Sequence, residues 1–469
     1  MNLKIKAPRG QATADGAAGI DALDTSFLYE ELRRNYVTHR KTIDVDFREM
    51  VSWIKGGDQL THHIHPYPAK LLPQIANFFC RASILKEASG ILLDPFCGSG
   101  TVALEASMAG IQPYVADANP FALMLSRVKT TPYCVKELEE CLETLRSRSA
   151  KFRSAPKVEI VNSDLWYSEE NKFALERIIR SIHELEDKST REFFLICFSV
   201  LARKISYADP RVNVPVRQKI KDSFSPAAKA SVQARFDWLK NVSAFDEFSK
   251  ICNSNINRVA LTNNAYPSRN CIKELGDDAR NLRSGRRRLG APLPDSSVSL
   301  IITSPPYGSA QKYVRASSLA LNWLGLAAPK DLSALERRSI GREHLSERES
   351  LSLEGISKKY RHQLDRISRV NLLRAKLTAT YMREMSCVVA ELSRVTASGG
   401  RNVLIVGNNQ VCGEVISNDQ FLQDCFESHG MTTELSVRDD IRARGLMTTR
   451  NRATPAISHE TVLVFRKGA

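Results

Sequence analysis

Apolar residues in this chain are grouped into short runs that end at glycine-rich, acidic or proline-rich turns. The run Ile91-Leu92-Leu93 leads into a glycine turn and a helical pattern, and "QPYVA" at 112–116 leads into a second helical pattern. Short continuous apolar runs that alternate with helices are typical of buried parallel strands. The pattern over 91–130 therefore predicts the beginning of a doubly wound α/β sheet.

Apolar runs typical of strands recur later in the chain, separated by two long segments of different composition. Residues 131–268 have mostly helical periodicity, and residues 314–370 are dense in charge and low in aromatic residues. A charged composition of that kind favours a partly mobile segment. We divide the chain as follows: an N-terminal arm and helical segment (1–60), the first sheet half (61–130), a helical insertion (131–268), later strands (269–313), a charged insertion (314–370) and the final part of the sheet (371–469).

The net charge of the chain indicates a class of binding partner. The chain has 67 Lys and Arg against 52 Asp and Glu, a formal net charge of +15. A large positive excess favours a polyanionic partner, and nucleic acid is the first candidate; a basic protein without such a partner is the alternative.

Several other classes of protein are disfavoured. No apolar run approaches the roughly 20 residues of a membrane span, and "MNLKIKAPRGQATADGAAG" has no apolar signal core, so we expect no secretory signal. The ten cysteines contain no C-x-x-C pair, which favours reduced thiols in a cytoplasm. His62, His63 and His65 have no carboxylate or cysteine partner at ligand spacing, so we predict no metal site.

The segment "LLDPFCGSGT" at 92–101 places Gly98 and Gly100 between a strand and a helix. Glycines let the backbone pass close to a ligand, and the helix N-terminus offers unpaired N–H groups. A tight strand-to-helix turn without a ligand is the alternative. No Gly-Lys-Ser/Thr follows, so this is not a phosphate-binding loop.

Acidic residues follow two further strands. Asp117 ends the second strand in "VADANP", where an acid can accept two ribose hydroxyls; a helix N-cap ahead of Pro120 is the alternative reading. Asp277 and Asp278 occur in "GDDARNL" after a later strand.

The segments "DPFCGSGT", "GDDARNL" and "TSPPY" together resemble motifs of the S-adenosylmethionine-dependent DNA amino-methyltransferases. "HPYPAKLLPQI" resembles the segment that precedes their glycine loop. The resemblance implies a Rossmann-like methyltransferase sheet in which 61–130 is the cofactor-binding half. It also implies S-adenosylmethionine contacts from these residues: Lys70, Asp94, Pro95, Phe96, Gly98, Gly100, Thr101, Asp117, Asn119 and either Asp277 or Asp278, of which Asp278 is favoured.

The turn Ser304-Pro305-Pro306-Tyr307 is the implied catalytic motif. An aromatic amine is a poor nucleophile because its lone pair is delocalised into the ring. Two acceptors, the Ser304 hydroxyl and the Pro305 carbonyl, can hold both N–H bonds and free the lone pair toward the methyl donor. The prolines restrict φ and keep that carbonyl in place, and Tyr307 offers a flat face for an extruded base.

The resemblance implies double-stranded DNA as substrate, with a cognate restriction endonuclease as a further candidate partner. The helical insertion 131–268 is the candidate for DNA target recognition. Serine in the catalytic motif favours cytosine N4 as the target; adenine N6 is the near alternative. An RNA or protein nitrogen methyltransferase, or a catalytically silent paralogue, is more remote. Candidate DNA contacts are Arg286, Arg287, Arg288, Tyr313, Arg315, Lys358 and Lys359.

Overall fold

The computed structural model describes residues 24–52, 60–68, 70–85, 91–282, 293–308, 312–345, 350–441 and 458–468. The strands are β1 (Ile43–Val45), β2 (Ile91–Asp94), β3 (Gln112–Ala116), β4 (Lys273–Gly276), β5 (Val298–Thr303), β6 (Thr396–Val406), β7 (Asn409–Val411), β8 (Glu414–Ile416), β9 (Met431–Asp440) and β10 (His459–Lys467). The helices are α1 (Ser26–His39), α2 (Phe47–Met50), α3 (Pro73–Arg81), α4 (Thr101–Met108), α5 (Pro120–Thr130), α6 (Val135–Lys151), α7 (Ser163–Trp166), α8 (Glu169–His183), α9 (Lys188–Lys204), α10 (Pro226–Asn241), α11 (Ala244–Ala265), α12 (Tyr313–Trp323), α13 (Leu332–Arg338), α14 (Lys358–Val370), α15 (Leu372–Val395) and α16 (Asn418–Ser428).

Eight strands form one sheet in the order β1-β9-β10-β6-β5-β2-β3-β4. β10 runs antiparallel to both of its neighbours, and the other pairs are parallel. The part β6-β5-β2-β3-β4 has the order of a doubly wound sheet. The chain passes from β2 through β3 to the edge strand β4, and then returns to the other side of β2 to form β5 and β6. The predicted fold class is confirmed. Ligands of such sheets bind at the carboxyl ends of the strands where the order reverses, here between β2 and β5.

Both faces of the central strands are covered, which explains their uninterrupted apolar runs. Leu92 and Ile302 lie in a core shared with α1 and α3, whereas Leu93 and Ile301 face α15 and α16. Because successive strand residues point to opposite faces, each strand contributes to both layers.

The helical insertion packs on the sheet domain. Leu145, Leu175 and Phe198 share one apolar cluster with Phe121 of α5 and Trp323 of α12. Residues 131–268 contain the six helices α6 to α11, and their apolar cluster includes Val115 of β3. Their role in target recognition stays a prediction.

The charged insertion contains an amphipathic helix. In α14, Tyr360, Leu364 and Ile367 are buried against the core that includes α15. Charge density alone did not reveal these three apolar positions, which are spaced four and three residues apart and so share one helix face. The N-terminal segment also holds an unanticipated short strand, β1, paired in parallel with β9. No helix in the described part of the chain is long and apolar enough to cross a membrane.

Candidate cofactor and catalytic site

The glycine loop joins β2 to α4 and depends on two left-handed backbone conformations. Gly98 has a φ of 45° and Gly100 a φ of 71°. A Cβ on Gly100 would lie 2.7 Å from the Ser126 Oγ and 2.9 Å from the Ser126 Cα of α5. At Gly98 the nearest atom would be 3.7 Å away. Gly100 is therefore required for close packing on α5, and Gly98 for the path of the backbone alone.

Asp117 organises this loop from the end of the neighbouring strand. Its two carboxylate oxygens accept hydrogen bonds at 2.8 Å, one from the Gly98 N–H and one from the Asn119 N–H. Burial raises the pKa of Asp117 to about 6. The helix cap is supplied by Asn119, whose side chain accepts from the Phe121 N–H. Asn119, two residues after Asp117, is thus the helix N-cap that was the alternative reading for Asp117.

Asp94 connects the glycine loop to the Ser304–Tyr307 turn. Its Oδ1 accepts a 2.7 Å hydrogen bond from the Thr303 hydroxyl and a 3.2 Å bond from the Phe96 N–H. Thr303 is the last residue of β5, so the side chain before Ser304 is tied to the acid at the end of β2. Burial raises the pKa of Asp94 to about 7. The loop residues around it, Pro95 and Thr101, are buried as well.

The Ser304–Tyr307 turn, which the sequence predicts to be catalytic, is held by contacts from distant segments. The Tyr307 hydroxyl donates to the Glu460 carboxylate of β10 at 3.1 Å and lies beside the Ser304 hydroxyl. Asn409 donates to the Gly308 carbonyl at 2.8 Å. A Cβ on Gly308 would lie 2.9 Å from the ring of Tyr381. Pro305 is buried, whereas Ser304, Pro306 and Tyr307 are half-buried at the carboxyl end of β5.

Two neighbouring acids follow β4 and differ in their surroundings. Asp277 directly follows the strand, next to Asp117, because Ala116 and Gly276 are paired in the ladder. Its Oδ2 accepts from Arg338, and its Oδ1 is buried with no hydrogen-bond partner among the described residues. Asp278 accepts three hydrogen bonds from Arg280: two from its guanidinium, at 2.8 and 3.0 Å, and one from its backbone N–H, at 3.0 Å.

The predicted DNA contacts occupy different environments. Tyr313 begins α12; burial raises the pKa of its hydroxyl, which lies within hydrogen-bonding reach of the Tyr307 backbone. Arg315 is exposed on the same helix. Lys358 and Lys359 are exposed on α14, and the Lys359 amine lies 3.1 Å from a carboxylate oxygen of Asp424. The candidates Arg286, Arg287 and Arg288 lie outside the described residues.

Three residues that the sequence did not suggest complete the site. Lys129 is fully buried in α5 and donates a 2.6 Å hydrogen bond to the Ser99 carbonyl of the glycine loop. A lysine within the otherwise apolar face of α5 is a signal that could have drawn attention to it. Tyr67 stacks on Phe121 and accepts from the Asn119 amide at 3.3 Å. Glu460 is separated from Tyr307 by 153 residues, so no local pattern connects them.

The histidine-rich segment before α3 packs behind the glycine loop. His62 Nε2 lies 2.7 Å from Glu105 Oε1, and both side chains are buried. The Lys70 amine donates to the His62 carbonyl at 3.1 Å. Among the described residues, one group with metal-ligand chemistry does occur elsewhere, at Glu336, Glu343 and His344, where the Lys312 amine already lies 3.2 Å from Glu343.

The site therefore assembles most of the sequence candidates at one edge of the sheet. Asp94 ends β2, Asp117 and Asp277 directly follow the neighbouring strands β3 and β4, and the Ser304 turn follows β5 on the other side of β2. Three acids at neighbouring strand ends, beside a proline turn, suit a cationic, hydroxyl-bearing ligand next to a second, planar one.

Comparison with known proteins places this geometry in context. Residues 63–166 match the family described as RMKL-like, methyltransferase domain (UPF0020). Type II methyltransferase M.MvaI of Kocuria varians is 27% identical over 284 residues, 57% of this chain and 58% of that protein. Type II methyltransferase M.AvaI of Nostoc sp. (strain PCC 7120) is 24% identical over 381 residues, 73% of either chain.

A solved structure also matches weakly. It is of a Thermus thermophilus protein assigned as a DNA modification methylase and complexed with S-adenosyl-L-methionine. It is 18% identical and covers 38% of this chain and 50% of that one, with a TM-score of 0.20. The sequence matches confirm the predicted similarity to DNA methyltransferases, although the chain spans only 58% of the length of M.MvaI.

Proposed function

We propose that this chain, which is similar to the Type II DNA methyltransferases, transfers a methyl group from S-adenosylmethionine to an exocyclic amine of a base extruded from double-stranded DNA. The observation that carries the proposal is the 2.7 Å hydrogen bond from Thr303 to Asp94. It joins the amine-binding turn and the cofactor loop at the point where the strand order reverses, so that methyl donor and acceptor meet there.

The residues at the strand ends suit this cofactor. Asp94 is a buried acid that can pair with its ammonium group, and Phe96 covers the methionine part. Asp117, whose oxygens already hold the Gly98 and Asn119 N–H groups, faces the ribose hydroxyls. The positive φ of Gly98 and Gly100 sets the path of the loop around the ligand, and Lys70 donates a hydrogen bond to the segment behind it. The bound cofactor supplies a sulfonium-activated methyl group.

The protein's part in the reaction is to position the amine. Ser304 Oγ and the Pro305 carbonyl accept its two N–H bonds, which draws the nitrogen toward a tetrahedral shape. The Tyr307 ring, anchored through its hydroxyl to Glu460, presents a face to the extruded base. Attack on a sulfonium methyl depends on alignment more than on a strong base. Asn409 and Tyr381 keep the turn rigid, which serves that alignment.

We further propose cytosine N4 as the target, supported by serine at the first position of the motif; adenine N6 is the alternative. The test is to incubate the chain with labelled S-adenosylmethionine and unmethylated duplex DNA, digest to nucleosides and identify the product by mass. N4-methylcytosine is the expected product. N6-methyladenine would overturn the base assignment only, whereas label in RNA but not DNA, or cofactor binding with no transfer, would overturn the function. A cognate endonuclease is a proposed partner because the relatives are named Type II methyltransferases.

Asp277, which our sequence prediction ranked behind Asp278, is the better supported acceptor for the adenine amine of the cofactor, because its Oδ1 is buried and free of described partners. Asp277→Asn is expected to weaken cofactor binding about tenfold or more, the cost of a lost hydrogen bond to a charged group. In this variant Arg338 would still donate to the side-chain oxygen of the asparagine. The asparagine NH2 would then face the adenine amine, and because both groups are donors no hydrogen bond forms between them.

Asp278→Asn is the matched control and should leave the calorimetric affinity within about twofold, since Asp278 is already engaged by Arg280. A larger loss of cofactor affinity for Asp278→Asn than for Asp277→Asn would assign the adenine amine to Asp278, as the sequence analysis favoured.

Cofactor affinity should rise with pH through the titration of the two buried acids. Asp94 has a pKa of about 7 and Asp117 one of about 6. Below these values the carboxyls are neutral; above them they are charged and can pair with the ammonium and accept from the ribose. The dissociation constant measured by calorimetry should therefore fall as pH increases through both values. Asp94→Asn should remove the upper step and keep the lower one, and a pH-independent affinity would contradict both roles.

A further inference from the structure

We propose that the corner between α14 and α15, residues 366–376, enters the DNA duplex beside the extruded base and fills the space that the base leaves. The corner carries three apolar side chains in water: Val370, Leu372 and Leu373 are 70%, 52% and 51% exposed. This inference rests on the proposed function, because it needs a duplex from which a base is removed. It adds a surface and a role that the catalytic turn does not provide.

The corner stands above the catalytic edge of the sheet. α15 ends at Val395, directly before β6, at the edge of the sheet opposite to the Ser304 turn. Tyr381 of α15 packs against Gly308, which directly follows that turn. At 1.5 Å per residue, Leu372 lies about 14 Å further along the helix, away from the sheet. The tip is therefore within the reach of a duplex whose base occupies the Ser304 turn.

Contacts on the other side keep the corner in that position. The Gln363 amide donates to the Val415 carbonyl at 2.5 Å, and Arg366 pairs with Glu414 at 2.8 Å. These bonds attach α14 to the β7–β8 hairpin, whose Asn409 in turn holds the Gly308 carbonyl at 2.8 Å. The corner, the hairpin and the catalytic turn form one connected unit.

Charge around the tip identifies DNA as the occupant. Residues 358–376 contain seven Lys or Arg and one acid, Asp365; Lys359 and Arg366 pair with Asp424 and Glu414 of neighbouring elements, and a positive excess remains. Arg374 is exposed one residue beyond the apolar tip, and Arg369 is exposed one residue before it. Arg369 pairs with Asp365 at 2.7 Å, but exposed pairs of this kind contribute little to stability and can be exchanged for a phosphate.

An apolar tip between cations has the chemistry of a wedge that inserts between bases while phosphates are held on either side. Extruding a base costs unstacking energy, and apolar side chains in the vacated space recover part of it. The corner thus promotes extrusion and leaves the transfer step to the turn.

The test uses the double variant L372S/L373S, with F27S as the matched control because Phe27 is 70% exposed on the distant helix α1. Two duplexes contain the site that the wild-type chain methylates. One has a normal base opposite the target, and the other has an abasic position there, so that extrusion is already easy. We expect kcat/KM of the double variant to fall about tenfold or more on the paired duplex and by less than about threefold on the abasic one. F27S should match the wild type on both, and cofactor affinity should be unchanged in all three proteins.

Two outcomes would overturn the proposal. Equal losses on both duplexes, or none on either, would mean that the corner does not assist extrusion. A wild-type dimer that L372S/L373S converts to an active monomer would assign the apolar tip to a second copy of the chain. Failure of the wild type to methylate any DNA is a separate result, which contradicts the proposed function and the corner proposal together.

Discussion

Replacing Ser304 with alanine is expected to lower methyl transfer by about 10²-fold or more, the usual effect of removing one preorganised group from a polar reaction centre. The hydroxyl is one of the two acceptors that the proposal assigns to the target amine. The other, the Pro305 carbonyl, remains, so the variant should still bind DNA and turn over slowly. Cofactor affinity should stay near that of the unaltered chain, because Asp94 and Thr303 keep their hydrogen bond.

Single-turnover rates with saturating cofactor and DNA would measure this effect on the transfer step itself. Ser428→Ala is the matched control, since Ser428 is exposed at the end of α16 and its hydroxyl donates to the nearby Cys425 carbonyl. An unchanged rate for Ser304→Ala would remove the acceptor role from the proposal. A rate that falls together with cofactor affinity would indicate instead that the substitution disturbs the Thr303–Asp94 connection.

Gly100→Ala is expected to destabilise the chain and to abolish cofactor binding. The added methyl group would lie 2.7 Å from the Ser126 Oγ and 2.9 Å from the Ser126 backbone, so α4 and α5 must separate. Overpacking of this kind costs about 1–3 kcal/mol, beyond the roughly 1 kcal/mol of placing an L-residue at a positive φ. The displaced loop would also carry Gly98 away from Asp117.

Gly110→Ala is the control that separates the cost of overpacking from the cost of an L-residue at a positive φ. Gly110 has a φ of 75°, close to that of Gly100, but an added Cβ would meet no atom within 4 Å. Denaturant unfolding of both variants should therefore show the smaller loss for Gly110→Ala, and its cofactor affinity should be normal. Equal unfolding free energies would show that α5 relaxes freely and that close packing at Gly100 is unimportant.

Local sequence was sufficient where a single segment carries both the structure and the chemistry. The apolar runs before Asp94 and Ser304 became β2 and β5, and the glycines between strand and helix have the positive φ that their lack of a Cβ allows. The motifs also occur in the order that a doubly wound sheet requires, so the sheet followed from them. β1 was missed because three residues are too few for a strand pattern.

The amphipathic helix α14 shows a different limit. Its three buried residues, Tyr360, Leu364 and Ile367, are outnumbered by charged neighbours, so composition predicted a partly mobile segment and did not reveal the helix. Helical spacing, rather than the apolar fraction, decides whether a charged segment can pack.

The sequence by itself determined the order of the motifs, the residue types of the cofactor loop and the rigid Ser-Pro-Pro-Tyr turn, because these depend on backbone conformation over a few neighbouring residues. Only the tertiary structure decided which side chains complete them: Lys129 beneath the Ser99 carbonyl, Glu460 beside Tyr307, and Arg338 on Asp277 rather than on Asp278. These contacts join residues 30 to 153 positions apart. Their partners are chosen by burial and by the need of buried polar groups for hydrogen bonds, and neither is visible until the sheet has brought the strand ends together.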